Sequence, residues 1–256
     1  MSQDSLGEVK GVCDIGVCDI VFLLDISGSM QPCLDGLVDN IASFVMTLRD
    51  GADTNTQSVI SDWRIKICGY RDAEEDGDYW WEESTFIAND VAKVTECLKS
   101  LQAKGGGDEP ESLLDGIFKV ASLPVTEKGA QPEGDKWRHR NEAVRIVIIF
   151  TDATYKPTMC IPEAVGGTLD DIVNKVTEMK LKLCCYVPEG QECYYSLGEI
   201  DKTELEEIPG VLGDPKMMVE YTKDKAHFEK VMEQLAKKMY FWTRFMRLFG
   251  SMQSRQ

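Results

Sequence analysis

Two stretches constrain this chain of 256 residues more than anything else in it: Ile20-Val21-Phe22-Leu23-Leu24 and Ile146-Val147-Ile148-Ile149-Phe150. Each is apolar at every position, and each runs into an aspartate, Asp25 directly and Asp152 after Thr151. A strand apolar on both faces must be covered on both faces, which is the condition of a central strand in a parallel sheet. The segments around the two runs supply the covering layers. Leu34, Leu37, Ile41, Phe44, Val45 and Leu48 recur at helical spacing over 32–49, with Pro32 at the start. Further helices are expected over 90–102, 110–122 and 168–180, and a last one capped by Asp224 with Phe228, Val231, Met232, Leu235 and Met239 on its apolar side. Strands are expected over 18–25, 63–70, 85–87, 144–151, 181–187 and 217–221, and 194–208 carries a short helical pattern closed by Pro209-Gly210. Residues 124–141, rich in Gly, Pro and charge, read as a solvated insertion with little fixed structure. Alternating strands and helices of this kind make an α/β fold, a doubly wound, mostly parallel six-stranded sheet with helices on both faces.

Asp25-Ile26-Ser27-Gly28-Ser29 follows the first run. The D-x-S-x-S spacing puts a carboxylate and two hydroxyls on a turn at the carboxyl end of a strand, where open α/β sheets gather their ligands. Hard oxygen donors suit a divalent cation such as Mg²⁺. The same oxygens could equally cap a strand-to-helix turn by accepting from backbone N–H groups. Two other stretches fall in line with this one: Gly105-Gly106-Gly107-Asp108-Glu109-Pro110-Glu111, and the second run ending in Thr151-Asp152-Ala153.

With these three stretches the chain resembles the von Willebrand factor A (vWA) domain, a doubly wound fold whose metal-ion-dependent adhesion site (MIDAS) opens with D-x-S-x-S after the first strand. The resemblance implies that Ser27 and Ser29 coordinate the cation with Asp25 close by, and that Asp152 holds a coordinated water beside Thr151. It also implies an antiparallel strand at the sheet edge. Where the commonest vWA pattern supplies a threonine, this chain has D-x-P-E, which is similar to the integrin β-subunit domain and to several intracellular relatives; the match makes Glu111 a ligand. A carboxylate there should tighten the metal while lowering its pull on an incoming ligand. In isolation, Glu109 and Glu111 could simply favour the following helix N-terminus, and Asp152 could be a cap. A second cation held by Asp72, Asp108 and Glu111 would follow the integrin β pattern, but the Asn those relatives place two residues before the Asp is Gly106 here, and Pro32-Cys33 replaces the acidic pair that would hold a third.

The net charge is −16, and the five basic residues from Lys237 onward leave residues 1–236 at −21. So acidic a body repels nucleic-acid phosphates, and no basic, aromatic-interleaved face offsets it; nucleic acid is excluded as a partner class. The nine cysteines include no C-x-x-C pair, and several sit in apolar strand segments, as expected of reduced, packed thiols in the cytoplasm. His139 and His227 lack zinc-ligand spacing. No run approaches a membrane span, and the N-terminus lacks the pattern of an export signal.

Seven acids lie from Asp72 to Glu83, with Tyr79, Trp80 and Trp81 among them. The stretch is either a solvated loop or a recognition rim whose aromatics anchor a partner. Residues 240–256 form a basic-aromatic tail in which Trp242 and Phe245 could dock in a partner groove, lie on an anionic membrane or pack back on the domain. The expected organisation is an extension over 1–17, the vWA domain over 18–239 and this tail. The expected function is that of a binding module, not an enzyme: an adaptor whose Mg²⁺ (Mn²⁺ or Ca²⁺ as alternatives) accepts an acidic side chain from a protein partner. By analogy with stand-alone vWA proteins, that partner is an AAA+ ATPase, a kinase or another component of a multi-protein complex. A metal-dependent hydrolase or phosphotransferase is the alternative, against which stand the lack of an evident general base beside the three loops and of a phosphate-cradling G-x-x-x-x-G-K-[ST] loop. A scaffold with an inactive site is the third reading.

Overall fold

The computed structural model describes residues 15–50, 59–105, 109–212, 214–224 and 226–239. Strand β1 (Ile15–Asp25) leads through a single 3₁₀ turn into helix α1 (Gln31–Asp50), and β2 (Val59–Tyr70) follows. Two short strands, β3 (Trp81–Glu83) and β4 (Ile87–Ala88), precede α2 (Val91–Ser100) and α3 (Leu113–Ala121). Then come β5 (Val144–Phe150), α4 (Leu169–Met179), β6 (Leu181–Pro188), α5 (Glu192–Gly198), β7 (Thr203–Ile208), α6 (Pro215–Lys223) and a helix over 226–239, here α7.

Six strands lie in the order β3-β2-β1-β5-β6-β7, and β4 pairs with β2 beyond β3. The β2-β1-β5-β6-β7 pairs are parallel, whereas β3 and β4 run antiparallel to β2 at the edge. This is a doubly wound α/β fold. Side-chain alternation along β1 divides the core: Ile20, Phe22 and Leu24 face α1, α2, α6 and α7, while Val21 and Leu23 face α3, α4 and α5. All six apolar positions expected of the first helix, and all five of the last, are buried in the first of these layers. Strand order reverses between the parallel neighbours β1 and β5, with β2 and β3 running outward to one edge and β6 and β7 to the other, so a crevice is expected at the carboxyl ends of those two strands, next to Asp25 and Asp152.

Three expectations are corrected. Residues 217–221 are not the last strand; they lie in α6, where Asp214 accepts from Lys216 N at 2.9 Å and Pro215 opens the first turn. The edge strand is instead Thr203–Ile208, whose residues are all exposed or partly so except Ile208, as in an outer strand, and β1 starts at Ile15, inside the expected extension. Residues 124–141 are not loosely structured as a whole. Trp137 is fully buried, donates Nε1–H to the Val120 carbonyl at 3.0 Å and packs on Phe86 at 5.1 Å.

Beside it Arg138 enters a buried ion network. Strand register sets Asp19 opposite both Arg64 on β2 and Arg145 on β5. Asp19 accepts from Arg64 Nε and Nη2 at 2.9 and 2.6 Å and from Arg138 N and Nε at 2.7 Å each. Arg145 donates Nε–H and Nη2–H to the Arg138 carbonyl. Its guanidinium is pulled down to about 10 by burial, against the charge of Asp19. Asp19 and three guanidinium groups, with Asp62 also 2.7 Å from Arg138 Nη1, thus pin a hydrophilic segment to the sheet.

Candidate metal centre

The tight turn after β1 aims the Asp25 carboxylate inward. Its Oδ1 accepts from Ser27 N at 2.8 Å and its Oδ2 from the Thr151 hydroxyl at 2.7 Å, so the carboxyl ends of β1 and β5 are joined through this fully buried acid. The Ser27 and Ser29 hydroxyls lie 3.5 Å apart, with Ser27 5% exposed and Ser29 partly so. Gly28 N donates to the Gly105 carbonyl and Lys104 N to that of Ile26, which brings the glycine loop alongside the serine turn.

Glu111 reaches this place by backbone pairing. Its N–H donates to the Thr154 carbonyl and its carbonyl accepts from Lys156 N, each at 3.0 Å, and the Glu109 carboxylate accepts from Thr154 N at 2.9 Å. The loop before α3 is thereby stitched to the loop after β5. Asp115, wholly buried on α3, holds the far end of that second loop by accepting from Cys160 N and Ile161 N at 2.9 and 3.0 Å.

These acids lie close enough for their charges to act on one another. Burial first, and then the Asp25, Asp72, Asp76 and Asp152 carboxylates, push Glu111 up to about 9. Asp152 rises to about 7 through burial and the charge of Asp25, partly offset by the Ser29 hydroxyl. Burial also raises Asp25, against the hydrogen bonds from Ser27 and Thr151 and the charge of Arg71. Glu111 is 3% and Asp152 2% exposed, yet Glu111 Oε2 and Asp152 Oδ2 have no hydrogen-bond partner among the described residues. Buried carboxylate oxygens left without donors, in a group of acids that raise one another's pKa, are oxygens that a cation could satisfy.

Asp25, Ser27, Ser29, Glu111 and Asp152 are therefore brought to one rim, and this donor set fits a hard divalent ion. Much of it is hydroxyl and shared carboxylate oxygen. Among the described residues no group of three His, Cys, Asp or Glu side chains could hold a metal by itself.

The second cation site fares differently. Asp108 lies outside the described residues, and Asp72, 1% exposed, is already paired with the Lys156 ammonium at 2.7 Å. Of the expected recognition rim, Tyr79 is 76% exposed. Trp80 and Trp81 are only partly so: they pack on each other at 5.4 Å, and Lys119 lies over both rings. Trp242 and Phe245 lie outside the described residues.

Two residues that the motifs do not mark hold the rim together. Arg71, 1% exposed, donates Nε–H to the Lys104 carbonyl at 2.7 Å, Nη1–H to that of Tyr79 and Nη2–H to Glu82 at 2.8 Å, tying the acidic loop to the glycine loop. Lys156 does the same for Asp72 and Glu74. An arginine directly after a strand and inside an acid-rich stretch was a usable signal; a lysine in an irregular loop was not.

No protein-family model and no curated protein matches the chain. Among solved structures, the pilus adhesin SpaC of Lactobacillus rhamnosus GG aligns over 89% of this chain and 31% of its own, at 11% identity and a TM-score of 0.51. Proximal thread matrix protein 1 of the mussel byssus aligns over 84% of this chain and 49% of its own, at 14% identity and a TM-score of 0.48. The chain thus spans less than half the length of either, and at such identity the first likeness extends to the fold alone. Fold and site together define a class, the doubly wound α/β domain with a cluster of oxygen donors at the switch point of its sheet.

Proposed function

We propose that this chain is a divalent-metal-dependent protein interaction module of vWA type, which binds an acidic side chain of a protein partner through a cation held by Asp25, Ser27, Ser29, Glu111 and Asp152. Mg²⁺ is the ion of choice for such a donor set, with Mn²⁺ and Ca²⁺ as alternatives. The observation that carries the reading is the pair of orphaned oxygens, Glu111 Oε2 and Asp152 Oδ2, buried beside Asp25 and the two serines. Leaving such groups without partners is costly, and a cation relieves them together. When bound, the ion supplies a Lewis-acidic centre for a partner carboxylate.

The protein's own residues do the rest. Thr151 and Ser27 N fix the Asp25 carboxylate, and the Glu111–Thr154 backbone pairing fixes Glu111. The eight described cysteines are free thiols, which accords with a role inside a cytoplasmic complex. Among the described residues no helix is long and apolar enough to cross a membrane.

The test is thermal unfolding of the full chain with Mg²⁺ or with chelator, paired with capture of partners from a lysate under the same two conditions. Wild type is expected to unfold higher with Mg²⁺ and to retain its partner only then. Ser27→Ala should lose both responses. A wild type indifferent to Mg²⁺ in both measurements refutes the proposal.

A further inference from the structure

The acids around the centre outnumber what one divalent ion can neutralise. Glu111 feels the charges of Asp25, Asp72, Asp76 and Asp152, and Glu74 lies beside Asp72, donating its backbone N–H to Asp72 Oδ1 at 2.9 Å. Asp72 is 1% exposed, and a buried carboxylate needs a cation or several donors. The cation it receives comes from the chain. Lys156 Nζ lies 2.7 Å from Asp72 Oδ1 and also pairs with Glu74 Oε2, and the Lys156 side chain is 16% exposed. The same residue donates its backbone N–H to the Glu111 carbonyl at 3.0 Å. The residue is therefore anchored by its backbone to the pairing that positions a proposed ligand, and its ammonium is held at Asp72 by two carboxylates.

We propose that Lys156 is the fixed second cation of this centre: its ammonium neutralises Asp72 and limits the site to one divalent ion. The proposal rests on the metal-binding reading above. An ammonium between Asp72 and Glu74 takes Asp72 Oδ1, one of the oxygens a second ion would need, and it repels that ion at close range. It also leaves Glu111 to the first ion alone. The centre should consequently lack a second, lower-affinity binding step.

The test is ion stoichiometry. The full chain, stripped with chelator, is titrated with Mn²⁺, free and bound ion being told apart by electron paramagnetic resonance and the count repeated with Mg²⁺ by calorimetry. The proteins are wild type, Lys156→Ala and Lys156→Arg, with Lys156→Gln replacing the alanine variant if that one does not fold by circular dichroism in chelator. Wild type and Lys156→Arg are expected to bind one ion and Lys156→Ala two, the second at least tenfold weaker than the first. One ion in both wild type and Lys156→Ala, or two in wild type, overturns the proposal and leaves the metal-binding reading standing. No ion in wild type and one in Lys156→Ala supports the role of Lys156 at Asp72 while removing the reading of the Asp25 centre. No ion in any of them removes both.

Discussion

Magnesium binding at this centre should expel protons, in a number that the buried acids set. Without metal, Glu111 titrates at about 9 and Asp152 at about 7, because burial and neighbouring carboxylates disfavour their ionised forms. Coordination requires both to be ionised, so every proton they hold must leave. From those two values the pair should release about 2 protons at pH 6, about 1.5 at pH 7 and about 1 at pH 8. Calorimetric titration with Mg²⁺ in two buffers of different ionisation enthalpy reads the number directly. The apparent affinity should rise with pH at the same slope. Glu111→Gln should cut the release at pH 7 by about one proton. Stability should follow. Both groups titrate higher in the fold than in the unfolded chain, so the metal-free protein binds more protons than its unfolded form, and stability present at low pH is lost as pH rises toward 9. Between pH 7 and 8 the loss should be roughly 1.5–2 kcal/mol, and saturating Mg²⁺ should abolish it. Release of fewer than about half a proton at pH 7, or a metal-free stability that does not fall over this range, would refute the electrostatic account of the site.

Other perturbations test the surrounding structure. Glu111→Gln removes a carboxyl that its neighbours repel, so in chelator at pH 8 the variant should be about 1–2 kcal/mol more stable than wild type in urea unfolding, yet gain less from Mg²⁺ than wild type does. Trp137→Ala should cost about 3–5 kcal/mol by the same assay, because the indole fills a fully buried site and satisfies the Val120 carbonyl; a loss below ~1 kcal/mol would return residues 124–141 to a solvated insertion. Asp19→Asn takes from Arg64 its paired carboxylate and leaves Arg138 only Asp62, 2.7 Å from its Nη1, and should cost about 3–5 kcal/mol. Tyr79→Ala, at an exposed ring, should change stability by less than ~0.5 kcal/mol; weaker retention of a captured partner would mark the acidic loop as its contact.

The layers of the fold were legible in the chain because burial on two faces leaves a simple pattern. Apolar runs without alternation mark β1 and β5, and a helical period over 32–49 marks α1; both follow from local geometry. The last strand was not legible. Met217-Met218-Val219-Glu220-Tyr221 and Thr203-Glu204-Leu205-Glu206-Glu207-Ile208 are each too short to carry a decisive period. What separates them is the edge of β6, which takes the second and leaves the first to a capped helix against α1. Trp137 was obscured in the same way. Its hydrophilic neighbours look solvated until Asp19, more than a hundred residues earlier, meets Arg138.

At the centre, the order and spacing of Asp25, Ser27, Ser29, Glu111 and Asp152 were written in the chain, since oxygen donors at strand ends are a matter of residue type and position. That Glu111 shares its burial with Asp25 and Asp152, and that Lys156 occupies Asp72, was settled only when the loops after β1, β2 and β5 met the loop before α3 at one rim. The reason is electrostatic: the interaction of charges depends on their separation in space and on the water excluded between them, and neither is fixed until the strands are in register.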